Sequence, residues 1–173
     1  MKVFGITGWS GSGKTTLIKS LIPEIKARGF SVSTIKHAHH TFDVDKPGKD
    51  SYEHRRAGAC EVLISSSKRW VLMHENNNEN EPSLGELLEK LRSNDLVLVE
   101  GFKNEPYPKL EVFRGSLGKP PLWSTDDTVI AVASDTKPLT LKKDFHFLSD
   151  IFRISDFILR QAVSVTDLSG PSR

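Results

Sequence analysis

The sequence contains few of the residues that cross-link or anchor a protein. One cysteine, Cys60, stands among 173 residues, so the chain cannot form an internal disulfide. No apolar run approaches the roughly 20 residues that span a bilayer. Residues 1–5 lead into a predicted strand rather than into a signal peptide. We therefore expect a cytoplasmic protein that has no contact with a membrane.

The net charge is also small. The chain has 24 Lys and Arg residues against 22 Asp and Glu residues, a formal net charge of +2. This balance provides no general attraction to nucleic acid, so we expect no nucleic-acid partner and only local basic sites. The length and the hydrophobic fraction of 37% suit one α/β core. We expect a single domain over residues 1–163 and a tail over residues 164–173.

A glycine-rich run follows the first apolar segment. Residues 8–15 match the pattern G-x-x-x-x-G-K-[ST] at every fixed position, directly after the predicted strand 2–7. In such a loop, successive backbone N–H groups bind phosphate, and the following helix directs its positive end at the anion. Lys14 would reach the β- and γ-phosphates, and Thr15 would offer its hydroxyl to Mg²⁺. The pattern predicts a nucleoside triphosphate site formed by Gly8, Ser10, Gly11, Ser12, Gly13, Lys14, Thr15 and Thr16.

The order of predicted elements indicates an α/β fold of the P-loop NTPase type. Strand 2–7, helix 14–28 and strand 30–36 form a βαβ unit, whose crossover should be right-handed. The apolar run 95–99 suits an interior strand of a parallel sheet. We expect a mainly parallel sheet with helices on both faces and an inserted β-hairpin at about 61–74. Further helices are predicted at 50–59, 84–92 and 151–163, and further strands at 110–113 and 128–133.

An acidic residue, Glu100, ends the predicted strand 95–99. Open α/β sheets place their ligand sites at the carboxyl ends of strands, and P-loop proteins use an acid there to hold Mg²⁺ or its water. The usual residue is Asp, so the choice between direct and water-mediated contact stays open. We favour the magnesium role over a solvated acid because Gly101 would let the γ-phosphate approach closely.

The segment from residue 36 to residue 51 is dense in His, Asp and Lys for a loop. Its histidines could bind zinc or nickel. Alternatively, Asp43 or Asp45 could sense Mg²⁺ and the γ-phosphate while the cations bind an anionic substrate, or the loop could simply be solvated. Two arginines on the next predicted helix suit a phosphate, although a solvated helix face fits them equally. The candidates for substrate or partner contact are His37, His39, His40, Lys46, Lys49, Asp50, Arg55 and Arg56.

Asp135 follows the last strongly apolar strand. P-loop GTPases carry near this place an Asp that accepts hydrogen bonds from the N1–H and amino groups of guanine. The Asn-Lys-x-Asp form of that motif is missing. Residues 135–138 also have the sequence of a turn, in which Asp135 would serve the backbone rather than a ligand. Asp135 is therefore a candidate base-binding residue with a structural alternative.

Seven segments of the chain match one known family: residues 8–16, 35–37, 39–40, 43–52, 57–59, 98–103 and 129–135. Together they resemble the MobB family of molybdopterin-guanine dinucleotide biosynthesis adaptors, to about residue 160. The resemblance implies a homodimer that binds GTP and Mg²⁺, has weak GTPase activity, and assists a MobA-type molybdopterin guanylyltransferase. It also implies that the region 37–56 is a surface for the molybdopterin phosphate or for the partner.

Two other functions compete with the adaptor. A metallochaperone GTPase of the HypB or UreG kind would use His and Cys ligands, and the missing Cys pair argues against it. A small-molecule kinase would need an arginine-rich lid, whereas residues 114–127 contain only Arg114 and Lys119 as cations. No water-orienting residue or arginine finger is evident, so we expect slow hydrolysis. The hairpin, with Trp70, Leu72 and Met73, is expected near a sheet edge, where an uncovered apolar strand supports a homodimer.

Overall fold

The computed structural model describes residues 1–38, 42, 44–77 and 80–168. The strands are β1 Lys2–Thr7, β2 Val32–Lys36, β3 Glu61–Ser65, β4 Trp70–His74, β5 Leu96–Glu100, β6 Lys109–Val112, β7 Val129–Ser134, β8 Asp144–Phe147 and β9 Val163–Ser164. The helices are α1 Lys14–Ala27, α2 Asp50–Arg56, α3 Leu84–Glu89, α4 Ile151–Gln161 and α5 Val165–Leu168. The chain divides into two units by its contacts: residues 1–37 with 84–173, and residues 38–83.

The first unit is organised around one sheet. Among the described residues, seven strands form it in the order β2-β5-β1-β6-β7-β8, and β9 pairs with β1. The six strands of that order are parallel, and β9 alone is antiparallel, joining Ser164 to Lys2. Parallel neighbours need crossovers, and here helices provide several of them. The predicted mainly parallel α/β fold is confirmed.

Both faces of this sheet are covered by helices. On one face, α1 and α4 bury their apolar sides against alternate strand residues such as Phe4 and Leu98. On the other face, Leu84 and Leu88 of α3 pack with Val97 and Val99. The alternation along β5 explains why its sequence is apolar at nearly every position, since both faces of the strand are buried.

The first unit extends further along the chain than the predicted boundary at residue 163. Val165 N–H donates to Met1 O at 3.1 Å, and α5 packs on the same face as α3. The predicted helix 151–163 ends at Gln161 because Ala162 is extended and leads into β9. The predicted helix 84–92 ends at Glu89. No described helix has the length and apolar character needed to cross a membrane.

The second unit holds α2 and the hairpin β3-β4. The hairpin is confirmed, with Val62 opposite Met73, and these two are its buried apolar residues. Strands β3 and β4 form a two-stranded sheet of their own, so each is an edge strand, as expected, although Met73 is buried rather than uncovered. Helix α2 begins at Asp50, as predicted, after the extended residue Lys49, and it ends at Arg56, before the predicted end at residue 59. Leu63 and Trp70 are 62% and 56% exposed, so most of the hairpin surface lies open.

Candidate functional site

The glycine-rich loop lies between the carboxyl end of β1 and the amino end of α1, as the pattern predicts. Gly8 has a φ of 137°, and a Cβ added to it would lie 2.5 Å from Val112 O of the neighbouring strand β6. Gly13 has a φ of 105° and directly precedes α1. Both conformations are strained for residues that carry a Cβ. Glycine is therefore required at both fixed positions of the pattern by backbone geometry.

Lys14 is folded over the loop that precedes it. Its Nζ donates to Gly8 O at 2.9 Å and to Trp9 O at 3.0 Å. Burial lowers the pKa of Lys14 below its usual range, and the charges of Lys103 and Lys36 lower it further, whereas Glu100 raises it. The cation is thus held in a partly desolvated position among other cations, which is a favourable place for an anion.

Glu100 ends β5 beside the end of β2. Lys36 is its register partner, and His37 N–H donates to Glu100 O at 2.8 Å. The structure gives a reason for glycine at position 101 besides the expected approach of a phosphate, which stays a prediction: its φ is 104°, and an added Cβ would lie 2.5 Å from His37 Cβ. Glycine is therefore required at position 101 because His37, in the segment beside it, leaves no room for a side chain. The next residue, Phe102, places its ring 4.7 Å from the His37 ring, so the backbone around the carboxylate is fixed.

Arg114 is a site residue that the sequence pattern missed. It follows β6, and its Nε donates to Ser12 O of the loop at 2.9 Å. The same guanidinium forms an ion pair with Asp135 at the end of β7. The predicted base-binding residue therefore lies at the site, held by a cation that also contacts the phosphate loop. The only signal in the sequence was the position of Arg114 directly after a buried strand.

Trp9, the second residue of the loop, carries a further set of contacts. Its indole Nε1 donates to Pro120 O at 2.7 Å. Lys103 Nζ and Lys119 Nζ lie 5.5 Å and 5.7 Å from the ring centroid, within the range of cation–π attraction. Ser12 is another variable residue of the loop, and its buried Oγ has no hydrogen-bond partner among the residues that the structure describes. Ser10, Gly11, Thr15 and Thr16 are exposed, as a ligand site requires.

In the second unit, two predicted site residues contact each other. Arg55 Nη2 donates to Asp45 Oδ1 at 2.8 Å, and Arg55 Nε lies 3.6 Å from Glu75 Oε1. The predicted magnesium sensor Asp45 and the predicted phosphate ligand Arg55 thus neutralise one another. Lys46, Lys49, Asp50 and Arg56 are exposed. The predicted residues His39, His40 and Asp43 lie outside the described residues.

The loop and the sheet order define the class of protein. A glycine-rich loop that joins the first strand to the first helix of a parallel α/β sheet is the arrangement of P-loop NTPases. Residues 3–135 match the MobB family model, described as molybdopterin guanine dinucleotide synthesis protein B. The chain belongs to this family, which confirms the resemblance stated above.

Relatives with curated names agree with this family. The molybdopterin-guanine dinucleotide biosynthesis adapter protein of Escherichia coli (strain K12) is 46% identical over 160 residues, 91% of each chain. The adapter protein of Haemophilus influenzae is 45% identical over 158 residues, 90% of this chain and 86% of that protein. A crystal structure of molybdopterin-guanine biosynthesis protein B is 27% identical, covers 91% of this chain and 98% of its own, and has a TM-score of 0.73. The crystal structure of Bacillus subtilis MobB, 24% identical over 95% of this chain and 99% of its own, shows the same fold with a TM-score of 0.72.

Proposed function

We propose that this protein is a GTP-binding adaptor that assists the attachment of GMP to molybdopterin. Its relatives from Escherichia coli and Haemophilus influenzae carry the name of adapter in that synthesis and match this chain over nearly its whole length. The observation that carries the nucleotide part is the loop after β1, where Gly8 lies against Val112 and Lys14 Nζ lies over the loop. The cytoplasmic location expected from the sequence stays a prediction.

The residues of the loop fit a nucleoside triphosphate. The amino end of α1 and the loop N–H groups supply partial positive charge. A bound polyphosphate would compensate the repulsion among Lys14, Lys36 and Lys103 and raise the pKa of Lys14 again. Thr15 and Glu100 would hold Mg²⁺, which neutralises phosphate charge when bound. The chain itself would bind and orient the nucleotide and leave the transfer of GMP to the partner enzyme.

We assign the guanine edge to Asp135. Its carboxylate accepts hydrogen bonds, and guanine presents two donors side by side, at N1 and at the amino group. Adenine lacks that pair of donors, so a carboxylate at this place favours GTP over ATP. The side chain of Asp135 is 59% exposed, which leaves it accessible to a base.

The partner that fits this role is a MobA-type molybdopterin guanylyltransferase. We also propose that the chain forms a homodimer through its hairpin, where Leu63, Trp70 and Leu72 are large, apolar and exposed. The exposed cations Lys46, Lys49 and Arg56 of the second unit are candidates for the phosphate of molybdopterin. Hydrolysis is proposed to be weak, because the adaptor would hold GTP rather than cleave it.

A metallochaperone function has no specific observation in its favour. Within residues 1–38, 42, 44–77 and 80–168, no group of three or more His, Cys, Asp or Glu side chains could hold a metal ion. The adaptor proposal therefore stands on the loop and on the family, and a direct binding experiment can test it.

The test is a calorimetric titration of the folded protein with Mg²⁺·GTP and Mg²⁺·ATP. We expect tighter binding of GTP, and a loss of about 2–5 kcal/mol for Lys14→Ala, because a desolvated cation that faces phosphate is removed. Lys19→Ala is the matched control, since Lys19 is an exposed lysine of the same helix. Unchanged affinity in Lys14→Ala would refute the phosphate site, and equal affinity for ATP would refute the choice of GTP. Recovery of a molybdopterin guanylyltransferase with the tagged protein would support the adaptor role, and recovery of a hydrogenase or urease subunit instead would refute it.

A further inference from the structure

We propose that Arg114 is a positioning residue that joins the phosphate loop and the base-binding carboxylate into one recognition unit. This inference rests on the proposed binding of GTP and names how two parts of that site act together. Arg114 contacts both parts through one planar group, with Nε on Ser12 O at 2.9 Å and Nη1 on Asp135 Oδ2. The two partners lie 102 and 21 residues away along the chain, so neither contact is local.

The first contact fixes a peptide of the loop. In a trans peptide the C=O and the N–H point in opposite directions. By holding Ser12 O on its own side, Arg114 directs the N–H of Gly13 to the opposite side of the loop. The side chain of Ser12 gives no such support, because its buried Oγ has no hydrogen-bond partner within the described part of the chain. Gly13 has broad conformational freedom, with a φ of 105°, so an external contact is needed to hold this peptide in one orientation.

The second contact sets the charge and the direction of Asp135. A carboxylate near a triphosphate would repel it, and the guanidinium removes most of that repulsion. The ion pair occupies Oδ2 and limits rotation of the carboxyl group. Oδ1 and the other lone pairs are left to accept from a guanine edge, since a carboxylate has about four acceptor positions.

Arginine is the residue that this geometry requires. Its guanidinium carries five donors in a fixed plane, so Nε and Nη1 can serve two acceptors at once. A lysine would keep the charge, but its donors all lie on one nitrogen and do not reproduce the separate, fixed positions of Nε and Nη1. Arg114→Lys therefore separates charge from geometry, and Arg114→Met removes both.

The discriminating measurement is the ratio of affinities for GTP and ITP, because inosine lacks the 2-amino group of guanine. Both ligands carry the same phosphates, so changes in phosphate attraction or in the folded fraction cancel within one variant. We expect the wild-type protein to prefer GTP by about tenfold or more. Arg114→Lys, Arg114→Met and Asp135→Asn should each reduce the ratio toward one. In the double variant Arg114→Met with Asp135→Asn, the ratio should fall no further than in the single variants.

A second measurement addresses the loop with inorganic tripolyphosphate, which has no base. Arg114→Met should weaken its binding several-fold more than Lys119→Met, which removes the same charge from the same segment. Equal losses of tripolyphosphate affinity in these two variants would mean that Arg114 acts by charge alone and would overturn the proposal. An unchanged GTP-to-ITP ratio in Arg114→Lys would also overturn it. A wild-type protein that binds no GTP would instead refute the proposed function. Wild-type GTP binding together with an unchanged ratio in Asp135→Asn would refute the base-binding role of Asp135, and with it this coupling, but not the binding of GTP itself.

Discussion

Replacement of Gly8 by alanine tests whether the phosphate loop depends on close packing against the neighbouring strand. Gly8 has a φ of 137°, and a Cβ at this place would lie 2.5 Å from Val112 O and 2.9 Å from Ser12 Oγ. The first atom belongs to the backbone of β6, which is fixed between β1 and β7. The strand therefore cannot move aside at small cost, and the loop must move instead.

The magnitude follows from two contributions. A left-handed backbone conformation costs about 1–2 kcal/mol for a residue with a Cβ. Relief of the contact with a backbone oxygen adds about 1–2 kcal/mol more, as for other strained sites. Gly29→Ala provides a matched control, because Gly29 has a φ of 87° but, apart from its own neighbours in sequence, no atom of the described residues lies within 4 Å of an added Cβ. That variant should show the conformational cost alone.

Urea denaturation of the two variants measures the difference. We expect Gly8→Ala to lose about 2–4 kcal/mol of unfolding free energy and Gly29→Ala about 1–2 kcal/mol. Binding of Mg²⁺·GTP should weaken strongly in Gly8→Ala and stay close to wild type in Gly29→Ala. Equal unfolding free energies in the two variants, with retained nucleotide affinity, would show that the close approach to Val112 does not constrain the loop.

Two further predictions concern the hairpin and the sheet. Trp70→Ser should raise the dissociation constant of the homodimer, measured by light scattering, by roughly ten- to hundredfold. Leu139→Ser, which replaces another exposed apolar residue, should leave that constant unchanged. A monomeric wild-type protein would refute the proposed interface. Glu111 is buried and its pKa is raised by burial, although Leu122 and Trp123 N–H groups donate to it. Because the raised pKa makes the folded state bind this proton more tightly, the free energy of unfolding of the wild-type protein should fall as pH rises above about 4.5. In Glu111→Gln, denaturation measured over a series of pH values should show a weaker dependence on pH. Parallel curves for the two proteins would contradict this prediction.

Much of the first unit could be predicted because its signals are local. The pattern at residues 8–15 combines a strand, a glycine-rich turn and a helix, and the structure confirms each of them. The continuous apolar run of β5 likewise identified an interior strand. Strand β8 was missed because Phe145 and Phe147 alternate with polar residues over only four positions, which is a weak signal at a sheet edge.

The candidate site was predicted only where its residues are neighbours in sequence. Arg114 contacts Ser12 because β6 lies next to β1 in the sheet. The order of strands depends on how distant segments pair, so no local sequence pattern predicts it. The same limit applies to Gly101, which lies close to His37, the residue after β2 and far from it in sequence. The hairpin was recognised from its two strands, but its separation from the large sheet depends on pairing that local periodicity does not encode.

The pairing of β9 with β1 has a practical consequence for the design of labelled protein. Ser164 lies opposite Lys2, and Val165 N–H donates to Met1 O at 3.1 Å, so the amino end of the chain is held at the end of β1 away from the loop. Five residues of extended chain lie between Lys2 and Gly8, which places the two roughly 20 Å apart. An immobilisation tag attached before Met1 would therefore leave the mouth of the phosphate loop open during nucleotide binding or partner capture.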